Sequence, residues 1–191
     1  GFAHLAEHLA RMRDSAAYLG FRFDPASAST ALEKAVADLA GPDARVRLQL
    51  ERDGTLAAEV TALEPPIDGP VQVALDHEPV DPNDVWLFHK TTRRAPYDRR
   101  RGRRPDVDDV VLVNTRGEAT ETTTANLAVR LGGAWVTPPR DAGLLGGTYR
   151  EALVREGRLQ ERPVPIGTLR SAEAIALVSS VRGWREAVLV P

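Results

Sequence analysis

The sequence predicts an α+β (mixed α/β) fold in two lobes, a small amino-terminal lobe over residues 1–78 and a larger one over residues 79–191. Three observations predict it. The chain opens with two segments of helical periodicity, whereas its later apolar residues fall mainly in short runs with strand-like spacing. Several of those runs are joined by hairpin signals rather than by helices, so a pure βαβ array does not fit. The stretch from Glu78 to Asp84 is polar, carries Pro79 and Pro82, and is the best boundary between lobes.

Taken in order, Leu5, Leu9, Met12, Ala16 and Leu19 share one face of a helix spanning Ala3 to Gly20, with Gly20 as its C-cap. Phe21 to Pro25 reads as a turn. Ser29 or Thr30 is the candidate cap for a second helix, Ala31 to Leu39, which Gly41-Pro42 stops. Val46 to Leu50 alternates as a strand, Asp53-Gly54 signals a hairpin, and Leu56 to Ala62 returns. Val71 to Leu75 is a further strand. Beyond the boundary, Val85 to Phe88 reads as a short buried strand running into His89-Lys90. The arginine-rich run Arg99 to Arg104 reads as a solvated or disordered loop. Strands follow at Val110 to Asn114, Leu127 to Arg130, Ala134 to Thr137, Ala174 to Val178 and Ala187 to Val190. The glycine-bearing loop Gly143 to Gly147 opens a helix from Thr148 to Glu156.

Composition narrows the function. A hydrophobic content of 42% over 191 residues provides for a real core. A net charge of −2 gives no general attraction to nucleic acid or to an anionic membrane, and the arginine run lacks the interleaved aromatics of a nucleic-acid surface. No apolar run approaches the ~20 residues that span a bilayer. The start, Gly1-Phe2-Ala3-His4-Leu5, has no signal-peptide pattern, so a cytoplasmic location is expected. With no cysteine, disulfide and thiolate chemistry are excluded, and no metal site is expected.

Of 25 Lys+Arg residues only Lys34 and Lys90 are lysine, which leaves 23 arginines. Arginine cannot replace lysine where an amine must lose its proton and attack carbon, so each surviving lysine is a candidate for such chemistry. Lys34 lies on an amphipathic helix pattern and reads as solvated. Lys90 ends an apolar segment beside cations, a setting that disfavours its ammonium form. Glu121 sits among hydroxyl residues, in Thr120-Glu121-Thr122-Thr123-Thr124, where many donors can hold a carboxylate ionised. The loop ending Gly146-Gly147-Thr148 offers backbone N–H groups, a hydroxyl and a helix N-terminus to an anion, although it is neither a dinucleotide fingerprint nor a Walker loop. Each feature alone also has an ordinary reading: a surface lysine, a capping acid, a flexible connection.

Together, in this order, the motifs resemble the class IV aminotransferase family. His89-Lys90-Thr91-Thr92-Arg93-Arg94-Ala95-Pro96-Tyr97 is similar to its K-T-x-x-R-x-x-Y lysine motif, in the form typical of aminodeoxychorismate lyases. Gly117 through Glu121 to Asn126 matches G-x-x-T-E-x-x-x-x-N, Gly143 to Arg150 matches G-L-L-x-G-T-x-R, and His8 to Ala16 matches H-L-x-R-x-x-x-S-A. Ser179-Ser180-Val181-Arg182-Gly183-Trp184 resembles the late segment of lyases fused behind an aminodeoxychorismate synthase.

The resemblance implies pyridoxal 5'-phosphate (PLP) as cofactor. Lys90 would be its Schiff-base lysine and catalytic base, Glu121 the partner of the pyridine nitrogen, and Arg11, Gly147, Thr148 and Ser180 the phosphate ligands. Arg94 and Tyr97 would line the substrate side. The implied reaction releases 4-aminobenzoate and pyruvate from aminodeoxychorismate, a step toward folate. A class IV aminotransferase of D- or branched-chain amino acids is the alternative, and a non-catalytic remnant is a third reading, because relatives carry further strands ahead of the first helix and the small lobe is expected to be shortened. The resemblance also implies a homodimer, and a fused or separate synthase as partner.

Overall fold

A computed structural model describes residues 1–37, 39 and 43–191; the expected helix stop at Gly41-Pro42 lies outside them. The described chain mixes helices and strands, as expected, and divides into two compact units, Gly1–Pro66 and Ile67–Pro191. The expected boundary at 78/79 falls inside the second unit. The reason is hydrogen bonding: the strand Val71–Leu75 pairs in parallel with two strands of the larger sheet, so it is integral to that unit despite the polar, proline-bearing segment behind it.

The first unit holds helices α1 (Leu5–Leu19) and α2 (Pro25–Val36) and an antiparallel pair of strands, β1 (Ala44–Leu50) and β2 (Leu56–Ala62). Gly20 takes φ 71° and ends α1 as its C-cap. The start of α2 differs from the expectation. Asp24, rather than Ser29 or Thr30, is its N-cap, accepting from Ala26 N at 3.3 Å and Ser27 N at 2.9 Å. Pro25 then occupies the first helical position, where its missing N–H costs nothing. In the hairpin, Asp53 Oδ1 accepts from Thr55 N at 2.8 Å and Gly54 supplies φ 99°.

The second unit is built on strands β3 (Val71–Leu75), β4 (Asp109–Val113), β5 (Ala119–Thr122), β6 (Asn126–Leu131), β7 (Ala134–Thr137), β8 (Gln160–Glu161), β9 (Ala174–Ser179) and β10 (Gly183–Leu189). Their order is β5-β4-β3-β10-β9-β6-β7-β8, and β5 also pairs with β6. The first six strands of that order therefore close on themselves as a barrel, with β7 and β8 extending from it. Period-two alternation then sorts side chains. Val73, Val111, Leu127, Val129 and Leu177 fill one core. Their neighbours point to the other face: Ala74, Val110 and Leu112 pack with Val80 and Leu87, while Ala128, Ala176 and Val178 pack with Leu153 and Leu159. Burial on both faces explains why β4 reads as a continuous apolar run.

Three helices complete this unit: α3 (Ala95–Gly102), α4 (Thr148–Arg155) and α5 (Ile166–Arg170). Two sequence expectations are corrected here. Val85–Leu87 is a turn of 3₁₀ helix, not a strand, because the Asp84 side chain accepts from Trp86 N at 3.1 Å and starts a turn. The arginine run is neither a loop nor wholly solvated. Arg99 to Gly102 completes α3, and Arg100 is buried there, ion-paired with buried Asp76. It also donates to the Glu78 carbonyl, and Arg103 pairs with the Glu78 carboxylate.

Candidate active site

The site is assembled where β5 meets β6. Those strands share a single register pair, Glu121 opposite Asn126, because β7 occupies the rest of that edge of β6, from Val129 to Leu131. Glu121 is buried at 5% exposure. Its carboxylate accepts from Tyr97 Oη at 3.4 Å and Asn126 Nδ2 at 3.2 Å, and from the Leu145 backbone N–H. Burial pushes the Glu121 carboxyl up to about 8, the positive charge of Lys90 pulling the other way together with those hydrogen bonds and Arg94. Lys90, just beyond the 3₁₀ turn, is exposed rather than at the end of a buried strand. It is nonetheless close enough for its charge to act on Glu121.

Tyr97 and Arg94 enter from the start of α3. The Arg94 guanidinium lies 4.4 Å from the centroid of the Tyr97 ring and donates to the Thr123 carbonyl. Burial and the negative charge of Glu121 both raise the Tyr97 hydroxyl well above its usual value, so it stays a proton donor. Buried Asp109 secures the β5–β6 turn from beneath. It accepts from Thr123 Oγ1 at 2.5 Å, Thr123 N at 3.2 Å and Thr124 Oγ1 at 2.6 Å. His89 is held below its ordinary value by burial and then by the charge of Arg140, so the residue preceding Lys90 is a neutral imidazole at pH 7.

The glycine loop meets the same end of the barrel. Asn126 Nδ2 donates to the Leu145 carbonyl at 2.8 Å. Gly147 is the N-cap of α4, and a Cβ there would collide with the Asn126 amide oxygen. As N-cap it brings no side chain to the first turn of the helix, whose next residue is the buried Thr148. Gly143 has φ 90°, and a Cβ on it would lie 2.7 Å from Pro82 Cα, so this bend requires glycine. Ser180, half-buried, follows β9. Because Asn126 pairs with Val178, the end of β9 lies beside the start of β6 and hence at this end of the sheet.

Of the residues singled out in the sequence, Lys90, Arg94, Tyr97 and Glu121 thus converge, with Gly147, Thr148 and Ser180 at the same end of the barrel. Arg11 belongs to the first unit, on α1, where its guanidinium lies 3.4 Å from His8 Nδ1. Sequence reasoning overlooked Asn126, although it lies in a quoted motif, and gave no hint of the Asp109 clamp.

The match to the family model described as amino-transferase class IV runs over residues 2–190. The chain belongs to that family. A Schizosaccharomyces pombe protein named "Putative aminodeoxychorismate lyase" is 30% identical over 195 residues, covering 97% of this chain and 84% of that protein. A "Putative amino-acid aminotransferase" of Mesorhizobium loti is 36% identical with a TM-score of 0.92, covering 98% of this chain and 92% of that one. A hypothetical aminotransferase of Mycobacterium tuberculosis, solved in a PLP-bound form, shares the fold at TM-score 0.83 with 22% identity over 98% of this class IV chain and 76% of its own. No helix among the described residues is long and apolar enough to cross a membrane.

Proposed function

We propose that this class IV family member is a PLP-dependent aminodeoxychorismate lyase that releases 4-aminobenzoate and pyruvate. The observation that carries the cofactor reading is Glu121. A buried carboxyl raised to about 8 is poorly solvated, and an arriving pyridinium would restore a charge partner and return it to the ionised state. The rest of the donor set fits the same group. A lysine whose charge reaches that carboxylate supplies the amine, and the side-chain-free N-cap of an eight-residue helix, followed by a threonine, suits a phosphate. The lyase reading is supported by the lysine motif and by the S. pombe relative, which matches over nearly the whole chain.

Bound PLP supplies an electron sink for charge developing on the carbon next to the substrate nitrogen. Lys90 would hold the cofactor through its Nζ and, with that amine free, would take the proton from that carbon as general base. Glu121, held by Tyr97, Asn126 and the Leu145 N–H, would ionise against the pyridinium and keep the proton on the pyridine nitrogen. Loss of the ring proton would let the neighbouring ring carbon–oxygen bond break; the three-carbon group would leave as enolpyruvate, which takes up a proton to become pyruvate, and the ring would become aromatic. Gly147, Thr148 and Ser180 would hold the phosphate, through backbone N–H and hydroxyl groups at the start of α4 and the end of β9. Arg94 and Tyr97 line the substrate side.

A second reading, transamination of an amino acid, is favoured by the M. loti structure at 36% identity. Purified protein incubated with PLP should absorb near the visible edge, and Lys90→Ala should abolish that band. With aminodeoxychorismate, 4-aminobenzoate and pyruvate should appear in equal amounts without added keto acid. Amino transfer that depends on a keto acid, with no aromatic product, overturns the lyase reading; a colourless protein that takes up no PLP overturns both and favours a non-catalytic member.

A further inference from the structure

Asn126 is buried at 5% exposure, and its amide is used in three directions. Nδ2 donates both to Glu121 Oε2 and to the Leu145 carbonyl. The Leu145 N–H returns to the Glu121 carboxylate, so carboxylate, amide and peptide form a closed hydrogen-bonded triangle. The amide oxygen fills the space that a Cβ on Gly147 would need. The same residue is half of the one register pair joining β5 to β6. Glu121 and the loop leading to Gly147 lie far apart in sequence, and Asn126 touches both.

We propose that Asn126 is a positioning residue that locks the Glu121 carboxyl to the glycine loop, so that the group facing the pyridine nitrogen and the loop receiving the phosphate order together as one unit. The proposal rests on the PLP reading of the site for its ligand, but the lock itself is a property of this chain. When two elements order together, a ligand that orders one lowers the cost of ordering the other, so the two ends of a ligand bind cooperatively; when they order independently, they do not. A residue that merely satisfies the barrel seam would stabilise the unit without creating that dependence.

Two half-ligands separate these cases: pyridoxal, which lacks the phosphate, and inorganic phosphate. With binding read by tryptophan fluorescence, saturating phosphate should raise pyridoxal affinity about fivefold or more in the unaltered protein, the scale of ordinary site-to-site coupling. In Asn126→Ala that enhancement should vanish. Equal enhancement in both proteins, or none in the unaltered one, overturns the proposal. If pyridoxal does not bind at all, the cofactor reading falls, and the lock is judged without ligand. Gly147→Ala should then destabilise the unaltered chain strongly but Asn126→Ala only slightly, because the second background has vacated the space. Asn126→Ala should also raise the pH at which Glu121 titrates, seen as a shifted pH profile of melting that disappears when Glu121→Gln is added. Additive melting shifts and an unmoved profile overturn the lock on their own. Should Asn126→Ala not fold, Asn126→Ser carries the same comparisons.

Discussion

Replacing Arg100 by alanine tests whether the arginine run is solvent decoration or part of the core. Arg100 and Asp76 have side chains only 8% and 4% exposed, and the guanidinium also donates to the Glu78 carbonyl. Truncation leaves Asp76 buried without its main partner, a defect that costs about 3–5 kcal/mol. Arg103 lies 3.5 Å from Asp76 Oδ1 and is 41% exposed, so it can swing in and relieve part of the charge, which places the expected loss near ~3 kcal/mol. For a unit of this size that corresponds to a fall in Tm of roughly 10 °C. The neighbour Arg99, 60% exposed and paired only at the surface, should shift Tm by no more than a degree or two when replaced by alanine. The assay is built into the sequence: Trp86, Trp135 and Trp184 all lie in the second unit, so tryptophan fluorescence reports its unfolding alone. Equal, small shifts for Arg100→Ala and Arg99→Ala would refute the buried-pair argument.

Two further outcomes follow from the same geometry. Glu121 has a folded-state pKa raised to about 8, above its unfolded value, so the folded chain holds the extra proton between about 4.5 and 8. Its contribution to stability is fully present below that window and is lost as pH rises through it; Glu121→Gln should flatten the melting profile there, and an unchanged slope would count against the raised pKa. Gly143→Ala combines φ 90° with a Cβ 2.7 Å from Pro82 Cα, and should cost about 2–4 kcal/mol, whereas Gly157→Ala, at φ 71° with open space around it, should cost only ~1 kcal/mol. Urea unfolding followed by fluorescence distinguishes the two, and equal losses would sink the steric part of the account.

Local signals in the sequence were sound where the chain decides its own structure within a few residues. The Asp53-Gly54 hairpin, the return strand Leu56–Ala62, the strand Val71–Leu75 and the helix beginning at Thr148 all lie where expected. The misreadings are of two kinds, one a competing local cap and the others tertiary contacts. Val85 to Phe88 is apolar, but a side-chain cap from Asp84 makes it a turn. Arg100 looks solvated until Asp76, on the far side of the polar, proline-bearing segment, is brought against it. The strand Ala119–Thr122, rich in polar side chains, carries no apolar alternation to mark it; it is buried because Thr120 donates to the Leu112 carbonyl and Glu121 accepts from Tyr97 and Asn126.

By itself, then, the sequence determined the mixed fold, the ordered motifs of the class IV family, and Lys90 and Glu121 as the chemically informative pair, since these rest on residue type and spacing. Only the tertiary structure decided what surrounds that pair. Closure of the barrel at Glu121 and Asn126 buries the carboxylate, raises its pKa, brings Tyr97 from α3 onto it and sets the glycine loop against it. Tyr97 and the Leu145 loop reach Glu121 from segments distant in the chain, so no short window of sequence contains the carboxylate and all its partners.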